Sequence, residues 1–161
     1  IGYEQPRHRL GFRNSIDFYK NFNISFFLRA ELGHMGYFAE AARAGGTDTY
    51  DKRSTYDLPY WTEDNRNNEY ARLNTLTTVF GGGIKIYKPA SFLRLQDLSF
   101  SYTVPAASLT RYNVNGLRVF VAVRNVFTLD KWPGWDPETT GNAQSAMPMP
   151  RTFSAGLNLS L

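Results

Sequence analysis

The chain has 161 residues, of which 42% are hydrophobic and 16% aromatic, with 12 Phe, 10 Tyr and 3 Trp. It contains no Cys and carries a net charge of +4. The first fact excludes disulfides, thiolate metal ligands and cysteine nucleophiles; the second, with no run of Lys and Arg, gives no patch for nucleic acid. No stretch reaches the ~18 apolar residues of a membrane-spanning helix, no secretory leader opens the chain, and the aromatic richness favours strands.

In chain order, five period-2 patterns stand out, and helix-period patterns are nearly absent. The first runs over about 10–19, with Leu10, Phe12, Ile16 and Phe18 on one face and Gly11, Arg13, Ser15, Asp17 and Tyr19 on the other. A tight turn is expected at Lys20 and Asn21. The second pattern runs from Phe22 to about Tyr37. Phe22, Ile24, Phe26, Leu28, Ala30 and Leu32 share one face, while Asn23, Ser25, Phe27, Arg29, Glu31 and Gly33 share the other. Residues 39–90 read as one long irregular segment rich in Gly, Asp, Asn, Thr and Tyr. The third strand is expected over about 92–104. Its alternation changes parity between Leu95 and Leu98, the signature of a bulge or of passage from exposed to buried surroundings. A connection of about ten residues leads to a fourth strand, 117–129, with Leu117, Val119, Val121, Val123, Phe127 and Leu129 opposite Arg118, Ala122, Arg124 and Thr128. A second irregular segment, 130–149, precedes a closing strand from Phe153 to Leu161. Pro148 and Pro150 sit where a strand begins without losing ladder bonds.

Two properties separate this pattern from a soluble β-sandwich. Globular strands average about 5–6 residues, whereas three patterns here cover ten or more. The connections alternate between short and long, as in membrane barrels with short periplasmic turns and long extracellular loops. That order places 39–90 and 130–149 outside, and 105–116 and the C-terminus at the periplasmic rim. Aromatics gather near the expected strand ends, Phe18, Tyr19, Phe22 and Tyr102 below and Tyr37 and Phe38 above, as interfacial girdles do. The final strand is apolar at every second residue up to Leu161, as expected of a strand paired on both edges with a hydrocarbon-facing side.

No catalytic set is assembled. His8 and His34 lack ligand spacing and read as ordinary polar residues. Asp48, Asp51, Asp57, Glu63 and Asp64 lack the spacing of a calcium loop and read as solvated charge. Gly81, Gly82 and Gly83 lack the Lys and Ser/Thr of a phosphate loop. The sequons at Asn23 and Asn158 fall on strands and read as chance. No cofactor or metal is expected, and the chain is not expected to be an enzyme.

The segments "YKNFNISFFLRAELG" (19–33), "YWTEDNRNNEYARL" (60–73), "SFLRLQDLSFSYTVP" (91–105), "LRVFVAVRNVFTL" (117–129), "GWDPE" (134–138) and "PMPRTFSAGLNLSL" (148–161) together resemble the C-terminal end of the SusC/RagA family of TonB-dependent outer-membrane transporters. The order and spacing match over most of the chain, although family members usually end in an aromatic residue where this chain has Leu161. The resemblance implies an all-β, antiparallel transmembrane β-barrel segment, about the last five strands of a 22-stranded barrel. The plug, the TonB-binding segment and the earlier strands would lie elsewhere in a longer polypeptide, because five strands cannot close a barrel. The implied partners are the rest of the barrel and plug, a SusD-like surface lipoprotein acting as a lid, TonB, outer-membrane lipid and a second transporter–lipoprotein pair. The implied function is uptake of a glycan or peptide. Arg13, Asp17, Arg29, Glu31, Arg118 and Arg124 are then expected to face the lumen, chiefly as charge pairing against the plug. The outer-loop aromatics Tyr56, Tyr60, Trp61, Tyr70, Trp132 and Trp135 are expected to contact cargo, the lid or neighbouring loops. The alternative is a soluble β-sandwich that binds carbohydrate through those loop aromatics.

Overall fold

A computed structural model of the chain describes residues 2–38, 59–66, 69–70, 87–140 and 147–160. Tyr56, Asp48, Asp51, Asp57, the three glycines at 81–83 and Leu161 lie outside the described residues. The chain forms two compact units. One comprises Arg9–Ala30, Leu93–Leu129 and Met149–Leu161; the other comprises Ile1–His8, Glu31–Phe92 and Asp130–Pro148.

The strands are β1 (His8–Phe18), β2 (Phe22–Leu32), β3 (Met35–Tyr37), β4 (Tyr87–Pro89), β5 (Phe92–Thr103), β6 (Gly116–Asp130) and β7 (Thr152–Ser160). Five of them make one mostly antiparallel sheet in the order β1-β2-β5-β6-β7, and β3 and β4 pair separately. The described fold is all-β, as the alternating pattern implies. The first, third, fourth and fifth expected strands match β1, β5, β6 and β7 to within two residues at each end.

The second does not. The expected strand to Tyr37 breaks after Leu32, because Gly33 adopts a left-handed conformation (φ 81°) and its N–H turns aside to Ser91 Oγ at 3.0 Å. The chain resumes as β3, whose register with β4 pairs Met35 with Pro89 and Tyr37 with Tyr87. So β4 lies inside a segment expected to be irregular. The hairpin between β1 and β2 turns over Tyr19, Lys20 and Asn21, which includes both expected turn residues. Tyr19 (φ 49°) and Lys20 (φ 63°) supply the two left-handed positions that a tight hairpin needs. Asn21 closes the turn, its N–H donating to the Tyr19 carbonyl and its carbonyl accepting from Thr103 N–H, both at 2.8 Å.

Within β5 the exposed face changes sides, from Leu93 at one end to Phe100 at the other, with Arg94 and Ser101 buried beside them. The strand is continuous and contains no left-handed residue. The connection after it holds one helical turn, Ala106–Leu109, and a 3₁₀ turn, Thr110–Tyr112, ended by left-handed Asn113. β6 and β7 pair from Gly116↔Ser160 to Arg124↔Thr152. At the next residue, Asn125 (φ 53°), the side-chain amide donates to the Pro150 carbonyl at 2.9 Å.

The sheet has one apolar face and leaves it open. Leu10, Phe12, Ile16, Val119, Val121, Phe153, Leu157 and Leu159 are all exposed. Among the described residues of the sheet unit, only Ala30 and Leu109 are buried hydrophobic side chains. Each exposed side chain forgoes about 1.5–3 kcal/mol while it faces water. A sheet built this way is stable only against another apolar phase. At its hairpin end the same unit gathers rings: Phe22 packs on Phe18 (5.5 Å), Phe100 (5.7 Å) and Tyr102 (4.6 Å).

The other unit has a small core of its own, Phe38, Ala90 and Trp132, with Tyr70 packed against it. Phe38 meets Trp132 edge-on at 5.5 Å and 81°. Of the two aromatics expected in an upper girdle, only Tyr37 is exposed, edge-on to Tyr87 at 5.7 Å. Phe38 is buried, because the pairing of β3 with β4 carries the chain into the loop core.

Candidate functional site

Two groups of residues are candidates for a functional role: the polar face of the sheet and the aromatics of the loop unit. The polar face is tied together by side chains crossing from strand to strand. Asn23 Nδ2 on β2 donates to Ser15 Oγ and to Asp17 Oδ1 on β1, both at 2.8 Å. Ser25 Oγ and Ser99 Oγ lie 2.7 Å apart. Arg118 Nη2 on β6 donates to Ser101 Oγ on β5 at 2.8 Å. Arg94 is buried and donates through Nε to Thr128 Oγ1 at 2.9 Å.

The charged centre of this face is Asp97 on β5. Arg124 Nε from β6 lies 3.6 Å from Oδ1, and Arg13 Nη2 from β1 lies 3.9 Å from Oδ2. The Arg13 guanidinium also sits 4.8 Å from the centre of the Phe27 ring, which holds it over β2. Four of the expected inward residues, Arg13, Asp17, Arg118 and Arg124, thus join one polar face through partners on other strands of the sheet. Arg29 and Glu31 both lie on β2, half-buried. Asp97 is the residue that sequence reasoning missed. It falls where the β5 alternation shifts, so periodicity assigns it to neither face. The Arg on the polar faces of β1 and β6, on either side of β5 in the sheet, are the signal that would have pointed to a carboxylate between them.

Two glycines are fixed by close approach. A Cβ on Gly156 would stand 2.6 Å from Phe120 Cζ, so the Phe120 ring lies flat across the glycine opposite it in the ladder. A Cβ on Gly36 would meet Thr140 and stand 2.8 Å from Trp132 Cζ3.

The loop aromatics divide. Tyr60 and Trp135 are exposed and Trp61 is half-buried. Trp132 is only 7% exposed, its ring taken up by Phe38 and the Gly36 backbone; its backbone N–H donates to Asp130 Oδ1 at 2.9 Å. Tyr70 packs on the same core beneath the Lys88 ammonium (4.8 Å), which reaches Glu69 at 3.4 Å. After the core, Asp136 folds the chain back, its Oδ1 accepting from Glu138 N–H at 2.9 Å and its carbonyl from Thr139 N–H at 3.1 Å. Glu63 and Asp64 are exposed, next to a turn closed by Asn65 N–H on Thr62 Oγ1 at 2.9 Å. Among the described residues no three His, Asp or Glu side chains cluster to hold a metal ion.

No protein-family model matches the chain. It is 28% identical to the TonB-dependent receptor P3 of Formosa agariphila over 181 aligned positions, covering 99% of this chain and 17% of that protein. It is 30% identical to the TonB-dependent receptor SusC of Bacteroides thetaiotaomicron over 151 positions, covering 89% of this chain and 14% of that one. The chain therefore spans about a sixth of the length of these relatives. Among solved structures it resembles the RagAB peptide importer in the "open-open" state, with a TM-score of 0.72 at 26% identity, over 98% of this chain and 17% of that one. The "closed-closed" state of RagAB matches at a TM-score of 0.63 and 25% identity, over 87% and 16%. The alternating strands, the open apolar face and these likenesses converge, and the chain belongs to the SusC/RagA family of TonB-dependent receptors.

Proposed function

We propose that this chain is the C-terminal part of a 22-stranded outer-membrane barrel whose whole polypeptide imports a nutrient, glycan or peptide, with a SusD-like lipoprotein and energy from TonB. The observation that carries the reading is the sheet's bare apolar face. Strands of nine to fifteen residues expose their Leu, Val, Ile and Phe on one side and hold a bonded polar network on the other. Hydrocarbon satisfies the first side and a water-filled or plugged lumen the second. The same exposure counts against a β-sandwich, in which those side chains would form the interior. The ring cluster at Phe18, Phe22, Phe100 and Tyr102 fits the periplasmic interface. Segments 39–90 and 130–149 fit the extracellular loops, with the short connections and the C-terminus at the periplasmic rim.

In this reading the protein catalyses no bond cleavage; both curated relatives are named as receptors. The barrel and lid hold cargo, and TonB acts on the plug to open a path through the lumen. Arg13, Asp17, Arg29, Glu31, Arg118 and Arg124 line that path or secure the plug. Tyr60, Trp61 and Trp135, with Tyr56, meet cargo or the lid. Trp132 and Tyr70 act one step back, by stiffening the loop unit that presents them. Two transporter–lipoprotein pairs assemble as a dimer.

The test is made on the full-length polypeptide expressed with its lipoprotein partner. It should fractionate with outer membranes, need detergent for extraction and run at a heat-modifiable position on a gel. Cells lacking it should lose uptake of its cargo, and cells lacking TonB should lose it equally. A full-length protein that folds and stays soluble without detergent would sink the proposal.

A further inference from the structure

Resting on the importer reading, we infer that Arg13, Arg118 and Arg124 form a carboxylate-binding track on the polar face of the sheet, and that its ligand is an acidic peptide. The charge balance is the first ground. Among the described residues of the sheet unit, Arg and Lys number four, four and one across the three segments, nine in all, against two Asp and no Glu. Eight of the nine cations are Arg, whose planar fork suits carboxylates.

Geometry is the second ground. Arg13 and Arg124 share one carboxylate, Asp97, at 3.9 and 3.6 Å, yet their side chains are 72% and 76% exposed. Most of their N–H donors therefore remain available, since a guanidinium carries five. Arg118 donates to a neutral hydroxyl, that of Ser101. Three guanidiniums against the two carboxylates of this face, Asp97 and Asp17, leave a surplus of one positive charge on a surface whose arginines are already positioned, Arg13 by the Phe27 ring and Arg118 by Ser101.

Spacing and surroundings select the ligand. Arg118 and Arg124 lie six residues apart on one side of β6, roughly 20 Å at ~3.3 Å per residue. An extended peptide has the same rise, so carboxylates six residues apart reach both levels. A sugar would seek an open aromatic ring for its apolar face. Phe27 lies between the Arg13 guanidinium and Gly11 and offers no such face.

The test uses the full-length transporter in its native complex, with labelled extended peptides bearing two Glu six residues apart and the same peptides with Gln. Wild type should take up the Glu form about tenfold better at low ionic strength, at about threefold for each of the two arginines engaged, within the range of an exposed ion pair. High salt should erase the preference. Arg13→Gln with Arg124→Gln should remove the preference, read as the ratio of Glu-form to Gln-form uptake; Arg118→Gln should reduce that ratio. Asp97→Asn, which frees both guanidiniums, should raise it about threefold. A merely structural ion pair predicts the reverse for Asp97→Asn, and that result overturns the inference. So do equal uptake of both forms by wild type, equal loss of both in the double variant, and an arginine-dependent preference carried by uronate oligosaccharides and not by peptides. If wild type takes up neither peptide but imports a neutral glycan, the importer reading stands and this inference falls. If it imports nothing, both fall.

Discussion

An arginine placed at successive positions of β7 should read out the phase of the barrel wall. The strand covers nine residues, Thr152–Ser160. At ~3.3 Å per residue it is ~30 Å long, and tilted by ~45° it rises ~21 Å, close to the ~25 Å apolar band of an outer-membrane barrel. Leu157 lies one residue past the midpoint, opposite Val119, and is 68% exposed on the apolar face. Leu157→Arg therefore puts a guanidinium near the bilayer midplane, at a cost of about 2–4 kcal/mol. At 1.4 kcal/mol per tenfold, that lowers the folded-to-unfolded ratio roughly 30- to 700-fold. Leu159→Arg, nearer the strand end, should cost about 0–1 kcal/mol. Asn158→Arg points to the polar face, opposite Arg118, and should cost only about 0.2–1 kcal/mol from the like-charge pair. The assay is the heat-modifiable folded fraction of the full-length protein in outer membranes, followed through a urea titration. Equal damage at Leu157 and Asn158, or damage at Asn158 alone, would refute the assignment of faces.

Three further outcomes are expected. Trp132→Ala empties the loop core around Phe38 and Ala90; it should cost up to about 3–5 kcal/mol locally and appear as faster protease cleavage of 130–149 with unchanged membrane insertion. Gly36→Ala forces a methyl against Thr140 and the Trp132 ring, and overpacking of about 1–3 kcal/mol should give the same cleavage phenotype. Replacing Tyr19–Lys20 with Asn-Gly relieves two left-handed non-glycine positions and should raise the urea midpoint, by up to about 1 kcal/mol at each position.

What the sequence discloses follows from which forces act locally. The strands β1, β5, β6 and β7 were legible because a sheet with one greasy side writes its period into every second residue. The split between β2 and β3 was not. The apolar alternation runs on past Leu32, and only the left-handed Gly33, bonded to Ser91, breaks it. β4 was hidden because three residues cannot display a period, and it exists by pairing with Met35–Tyr37. Phe38 and Trp132 look like surface aromatics in one dimension; their burial depends on contacts across nearly a hundred residues. On the polar face, Arg13 and Arg124 could be assigned from parity, but Asp97 could not, because β5 changes sides around it.

The bond from Asn125 to Pro150 decides more than one contact. Pro150 has no N–H to offer a neighbouring carbonyl; Arg151 Nε donates to the Asn125 carbonyl at 3.4 Å, while the Asn125 side-chain amide donates to the Pro150 carbonyl. That pin stands one step beyond the first rung, Arg124↔Thr152. A slip of one residue would turn Leu157 and Leu159 inward and Asn158 toward lipid. In the proposed barrel, β7 would thus enter the wall with its alignment already set at its first rung, and any strand pairing with its far edge would inherit it.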